Sequence, residues 1–317
     1  MEIYKDPRKT FGEALVAAGE TNKNIVALSA DSSSGSGLTP FQKRFPERHI
    51  EFGIMEQGIM GFAAGLATTG KIPFVVAIAP FVTARPFEMF RNDLGYMRQN
   101  VKVVGRCAGL TYSDLGATHQ SLDDVAIIRT IPGVTIINPG DPVDIVKAVH
   151  AAVEHVGPVY IKVGSPPMPV LMDEGYPFRI GKGVVMENGS DVTLIGTGTV
   201  LSKAAGAAKI LKDKGIHARL INLHTIKPLD KELILKAAQE TGKIVTVEEG
   251  YVAGGMGSCI AEFLSAEFPV PIKMIGVIDQ FAEPGPYEDV LALYGLQSGQ
   301  IAETVEHFLK TVDRCPY

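Results

Sequence analysis

Short β-branched runs alternate with helix-forming patterns along almost all of this 317-residue chain. In the first half, strands are predicted at Ile25–Ser29, His49–Phe52, Pro73–Ile78, Val101–Gly105, Val134–Asn138 and Val159–Val163. Helices are predicted around them at Thr10–Glu20, Pro40–Phe45, Gln57–Thr69, Ala84–Met97, Ser121–Thr130 and Pro142–Val153. Such alternation demands βαβ crossovers and a parallel sheet covered on both faces. The prolines and glycines between Gly164 and Phe178 break the pattern and mark a linker. A smaller unit follows, with strands at Val192–Gly196, His217–Asn222, Ile244–Glu248 and Ile272–Val277. Its helices are predicted at Leu201–Lys214, Lys231–Thr241, Gly257–Ala266 and Ser298–Val312. The expected fold is therefore α/β, with two doubly wound, mostly parallel-sheet domains. The first takes residues 1–165, the linker 166–180 and the second domain 181–317.

Hydrophobic residues make up 46% of the chain and charged residues 21%, enough for a sizeable core. The net charge is −5 and no Lys/Arg-rich run occurs, which argues against a nucleic-acid footprint. The longest apolar run, Ile72 to Val82, contains Pro73 and Pro80 and is too short to span a bilayer. The first residues lack the apolar core of a signal peptide. Cys107, Cys259 and Cys315 are scattered, without a CxxC pair. These features predict a reduced, cytoplasmic protein with no zinc site and no membrane partner.

Three segments after predicted strands could carry chemistry, because α/β sheets bind ligands beyond the carboxyl ends of their strands. The first places one acid, Glu56, among Ile54, Met55, Ile59, Met60 and Phe62 at a helix start. A lone charge in apolar surroundings is costly, so its protonation is open to tuning; a first-turn Glu favoured by the helix dipole is the plainer alternative. The small residues that follow it imply that something packs closely on this helix. The second segment carries Phe81 after Pro80, ahead of a helix start expected at Thr83. An aromatic there can stack on a flat heterocycle, though from composition alone a core Phe is the plainer reading. The third, Tyr112 to Asp124, carries His119 in a polar loop leading to a helix that Ser121 and Asp124 are expected to cap. A His in that position suits hydrogen bonding to a substrate oxygen, or a plain surface loop. In the second unit, Gly196–Leu201 (GTGTVL) is an incomplete GxGxxG, and Gly254–Gly257 is either an anion nest or a tight turn.

Together these segments resemble the C-terminal portion of the transketolases. The match is to the pyrimidine-binding and C-terminal domains of this thiamine-diphosphate enzyme family, and it spans essentially the whole chain. Its motifs are Gly53-Ile54-Met55-Glu56-Gln57-Gly58, Thr118-His119-Gln120 with Asp124, His224-Thr225-Ile226-Lys227-Pro228 and Val247-Glu248-Glu249-Gly250. The resemblance carries the catalytic glutamate onto Glu56 and an active-site histidine onto His119. It places Phe81 and Ile54 against the coenzyme's aminopyrimidine, and His119 and Asp114 toward a sugar substrate; Arg85 is a candidate for a substrate phosphate, a solvated or salt-bridged Arg being the plainer reading, and Ser34 is a further substrate candidate. A carboxylate bonded to N1′ of the aminopyrimidine favours the imino tautomer needed to activate thiazolium C2, which suits a buried acid of raised pKa. The implied reaction passes a two-carbon ketol unit from a ketose to an aldose.

The departures matter as much. The family grips the diphosphate and its Mg or Ca ion with a Gly-Asp-Gly motif, and none occurs here. The resemblance thus implies a split enzyme whose N-terminal, diphosphate-binding half is a separate polypeptide. That half holds the divalent metal, this chain supplies no metal ligand, and the expected assembly is a heterotetramer with two copies of each. The Arg that helps hold a sugar phosphate in full-length relatives is missing around Val163-Gly164-Ser165-Pro166, and Asp114 is followed by an extra Leu115. The alternatives are the β subunit of a 2-oxoacid dehydrogenase, half of a deoxyxylulose-phosphate synthase, and a non-catalytic α/β partner subunit. The Thr-His-Gln triplet favours the transketolase side.

Overall fold

The computed structural model describes residues 3–312. Its larger sheet has seven strands, in the order Thr225–Lys227, Thr135–Ile137, Val159–Val163, Lys102–Arg106, Ile72–Ile78, Ile25–Ser29 and His49–Glu51. The six strands of the first half are mutually parallel. Every residue of Ile25–Ser29, Lys102–Arg106 and Val159–Val163 is buried. A sheet covered on both faces has no wet side, so its strands need no polar alternation. One face packs on the helices Pro7–Thr21, Thr39–Arg44 and Pro142–Glu154 through Phe11, Leu15, Phe41, Ile145 and Val149. The other packs on Glu56–Ala67, Phe90–Tyr96 and Asp124–Ile128 through Ile59, Met60, Phe90, Leu94 and Ile128.

The smaller sheet has five strands, in the order Ile272–Val277, Ile244–Tyr251, Val192–Gly196, Ala218–Asn222 and Val184–Glu187. The first four are parallel and the last is antiparallel. The α/β expectation with parallel-dominated sheets is thus met. The two units share structure. Thr225–Lys227, from the second half of the chain, adds an antiparallel edge to the larger sheet beside Thr135–Ile137. The core below Ile59 and Phe90 continues into Leu223, Ile226, Ile234 and Ile260.

Several local expectations are corrected. The helix expected over Ala84–Met97 is broken into Ala79–Thr83, Phe87–Met89 and a wide π-type turn at Phe90–Tyr96. Pro86 lacks an N–H and disfavours a helical residue before it, so the chain leaves the helix at Ala84–Arg85. Phe81 consequently lies inside a helix, not ahead of one. The helix after His119 spans only Asp124–Ile128, and no side chain caps it. Ser121 cannot begin it, because its backbone pairs with Gly109 in an isolated bridge. Within the supposed linker, Met168–Pro169 pairs antiparallel with Tyr4–Lys5. Such two- to four-residue edge strands are too short to leave a readable period in sequence. The expected cysteine at Cys315 lies outside the described residues. Among the described residues, no helix is long and apolar enough to cross a membrane.

His224, just before the shared edge strand, is fully buried and stacked on Phe178 of the linker at 4.0 Å between ring centroids. Burial lowers its pKa from 6.5 to about 4. The folded protein then binds fewer protons here than the unfolded chain between those two values, so stability falls as pH drops from about 6.5 toward 4. Urea midpoints measured across that range should show this acid limb, and His224→Phe should flatten it. An unchanged slope in the variant would place the loss elsewhere.

Candidate active site

Glu56 is the first residue of the helix Glu56–Ala67 and is only 5% exposed. Met55 offers no capping side chain, so the positive end of the helix faces the carboxylate. The acid is not alone, as its sequence surroundings implied. Arg85 Nη1 donates to Glu56 Oε1 at 2.7 Å. The same guanidinium lies over the Phe81 ring, its carbon 4.1 Å from the centroid. His119 meets Phe81 edge-on at 5.2 Å and Tyr112 at 5.5 Å. Thr118 Oγ1 lies 2.9 Å from His119 Nδ1.

Three strand ends make this cluster. Glu56 follows His49–Glu51, Phe81 and Arg85 follow Ile72–Ile78, and His119 follows Lys102–Arg106. The helix break at Pro86 is what leaves Arg85 free to turn toward Glu56. Gly116, at φ +68°, lets the Ser113–Thr118 turn fold back so that its carbonyl accepts from the His119 N–H at 3.0 Å.

Other named residues stand apart. Asp114 and Ser34 are exposed, and neither hydrogen-bonds to the cluster. The serine loop holding Ser34 is anchored by Glu51, which accepts from the Asp31 N–H at 2.6 Å and Ser33 Oγ at 2.9 Å. Ile54 is 75% exposed beside Glu56. Arg85 is salt-bridged, to Glu56. Gly58, Gly61 and Gly65 on the outer face of the Glu56–Ala67 helix are exposed, with only Met55 close to the first and Asp93 close to the second. A side chain added at Gly65 would meet nothing, and Phe62 beside it is exposed. Among the described residues, no group of three or more His, Cys, Asp or Glu is gathered to hold a metal.

Buried polar groups also lie outside the cluster, and the sequence did not single out Arg106 or Lys162 among them. Arg106 is buried, with Nε donating to Ser36 Oγ and Nη1 to Cys107 Sγ, both at 2.8 Å. Lys162 Nζ donates to Asp124 Oδ1 at 2.8 Å, and Tyr160 Oη to Asp124 Oδ2 at 2.7 Å. Glu249 accepts from the Leu110 N–H at 2.5 Å, from Tyr287 at 2.9 Å and from Thr199. Burial raises its pKa to about 6, opposed by these hydrogen bonds and by Lys162. The available signal was a charge inside an apolar strand, as in Val159-Tyr160-Ile161-Lys162-Val163. The Gly254–Gly257 turn is a nest, but its anion is internal. Glu248 accepts from the Met256 and Gly257 N–H groups at 2.7 and 2.8 Å. The GTGTVL turn is closed as well, with Gly198 packed on Asn138.

Residues 5–164 match the family described as transketolase, pyrimidine binding domain, and residues 181–301 match transketolase, C-terminal domain. The chain therefore belongs to the transketolase family. It is 40% identical over 304 residues to one of the subunits of the apulose-4-phosphate transketolase of Phocaeicola vulgatus, covering 96% of this chain and 97% of that protein. It is 37% identical over 294 residues to the 6-deoxy-6-sulfo-D-fructose transketolase subunit SqwH of a Clostridium species, covering 93% and 91%. A solved structure described as a split gene transketolase, inactive beta4 tetramer, superposes with a TM-score of 0.90 at 40% identity, covering 96% and 98%. The similarity is thus to separately encoded transketolase subunits over nearly their whole length.

Proposed function

We propose that this chain is the subunit of a thiamine-diphosphate-dependent transketolase that holds the coenzyme's aminopyrimidine, working with a separate diphosphate-binding polypeptide. The observation that carries this reading is the seat formed by Glu56 and Phe81. A planar nitrogen-bearing group, the Arg85 guanidinium, already bonds to the buried carboxylate and lies over the ring. The residues therefore fit a flat nitrogen heterocycle of that shape. When bound, the coenzyme supplies the nucleophilic carbon and electron sink that move a two-carbon ketol unit from a ketose to an aldose. Glu56 shares a proton with a ring nitrogen of the pyrimidine. Phe81 and Ile54 flank that ring. His119, held against Phe81 and Tyr112, offers its imidazole to a hydroxyl or carbonyl oxygen of the sugar. Asp114 and Ser34 reach the sugar from their exposed loops.

The partner subunit grips the diphosphate through its Mg or Ca ion, since this chain has no Gly-Asp-Gly motif. Ile54, Met55 and Phe62 form an exposed apolar edge around Glu56 and the uncovered face of its helix. Seating another polypeptide there would close the site and remove that apolar surface from water. The assembly is a heterotetramer with two copies of each subunit. That a related subunit on its own forms a tetramer described as inactive supports this incompleteness. Relatives named for apulose 4-phosphate and 6-deoxy-6-sulfo-D-fructose support a monosaccharide substrate with an anionic end, in metabolism of the pentose-phosphate kind. The free thiols of Cys107 and Cys259 accord with a reducing cytoplasm. Both family matches bear the transketolase description, which disfavours the 2-oxoacid dehydrogenase reading. Glu56, Phe81 and His119 standing together disfavour a non-catalytic subunit.

The test is reconstitution. This chain and a similar-sized polypeptide carrying Gly-Asp-Gly should each be inactive alone and should transfer ketol units when mixed with thiamine diphosphate and Mg. Activity of this chain alone would contradict the split reading. In the mixture, His119→Ala should lower kcat/KM about 10- to 100-fold, the loss of one or two substrate hydrogen bonds. Coenzyme affinity should hold steady; an unchanged kcat/KM would remove His119 from the site.

A further inference from the structure

The proposed seat already has an occupant. Arg85 makes the two contacts that a bound aminopyrimidine would need. It donates an N–H to Glu56 Oε1 at 2.7 Å and sets its guanidinium carbon over the Phe81 ring, 4.1 Å from the centroid. A ring that used the same carboxylate oxygen and the same face of Phe81 would need the space the guanidinium now fills. We infer that Arg85 fills the ring's seat while the subunit lacks its coenzyme, and that the ring enters by displacing it. The inference rests on the assignment of Glu56 and Phe81 made above.

The local structure suits a plug that can leave. Arg85 lies where the chain exits one helix and Pro86 forbids its continuation, and its side chain is 42% exposed. It can therefore swing into solvent without unpacking the core. The plug also changes the chemistry of Glu56. While the 2.7 Å ion pair stands, Glu56 Oε1 is taken up by the guanidinium and is not available to a ring nitrogen. Once Arg85 departs, the buried carboxylate faces only the ring nitrogen, and sharing a proton becomes its best remaining interaction. Entry of the coenzyme would thus switch Glu56 from ion-pair partner to proton partner. Before that, the plug shields a buried charge that would otherwise stand unpaired.

The consequence is a measurable penalty on coenzyme binding. Thiamine diphosphate is titrated calorimetrically, with Mg present, into the reconstituted pair carrying wild-type chain, Arg85→Ala or Arg85→Lys. Arg85→Ala should lower Kd about tenfold, the worth of a partly exposed ion pair plus a cation–π contact. Arg85→Lys, which keeps the charge without the planar face, should fall between. Methylguanidinium at millimolar concentration should refill the seat in Arg85→Ala and raise its Kd back toward wild type, while leaving the wild type unmoved. An unchanged or higher Kd in Arg85→Ala would overturn the inference. Glu56→Gln and Phe81→Ala, run alongside, separate the two levels. If both weaken binding and Arg85→Ala does not tighten it, only the displacement of Arg85 fails. If neither weakens binding, the seat itself is misassigned and the inference falls with it.

Discussion

Glu56→Gln should lower kcat of the reconstituted pair by at least about 10²-fold, the usual contribution of a positioned proton-transfer group. The substitution is chosen because it changes little else. Glutamine keeps the length of the side chain and leaves an amide oxygen for Arg85 Nη1, which now donates to Oε1 at 2.7 Å. It also keeps a neutral polar group at the helix start, so the loss of the favourable end-charge interaction is about 0.3–1 kcal/mol. What disappears is the ability to share a proton with the ring. Ketol transfer at saturating coenzyme, alongside urea midpoints of wild type and variant, separates catalysis from folding. Comparable midpoints with activity lost fit the assigned role. Retained turnover would remove it.

The largest stability effect should come from the buried Lys162–Asp124 pair, where Lys162→Met is expected to cost about 3–5 kcal/mol. Asp124 is fully buried and Lys162 only 6% exposed. Lys162 Nζ also reaches the carbonyls of Ser121 and Glu249, at 3.4 and 3.3 Å, so one ammonium ties the end of a first-sheet strand to the second unit. Removing it leaves the Asp124 charge with the Tyr160 hydroxyl and the Val125 N–H as partners, which do not neutralise it. Neutralising the remaining acid as well, in Lys162→Met/Asp124→Asn, should recover part of the loss, because the penalty belongs to an unpaired charge rather than to a missing bond. Denaturant melts of the two variants check this. A double variant as weak as the single one would show that packing, not charge, sets the cost.

Legibility in the sequence followed physical range. The inner strands of the larger sheet were readable because burial on both faces makes them nearly continuous apolar runs, as in Ile25–Ser29 and Ile72–Ile78. The helix Pro142–Glu154 was readable because Asp141 caps it and a proline opens it. The Ala84–Met97 segment misled because its apolar spacing is helical while Pro86 breaks the hydrogen-bond ladder within it. The edge strands Thr225–Lys227 and Val184–Glu187 were hidden, since pairing with a distant strand leaves no local period. At the site, Glu56, Phe81 and His119 stood out chiefly through a family resemblance; residue chemistry alone left each with a plainer reading. The Arg85–Glu56 bond was beyond either approach. It joins residues 29 positions apart, brought together only because the strands before them, separated by Ile25–Ser29, end on the same edge of the sheet.

The central claim is that the carboxylate at position 56 meets the coenzyme's ring in a site completed by another polypeptide. A crystal structure of the reconstituted pair with thiamine diphosphate tests it most directly. The expected result is Glu56 within hydrogen-bonding distance of a pyrimidine nitrogen, Phe81 against the ring face, Arg85 withdrawn and the diphosphate held by the partner. A ring bound elsewhere, with Arg85 still on Glu56, would contradict the account.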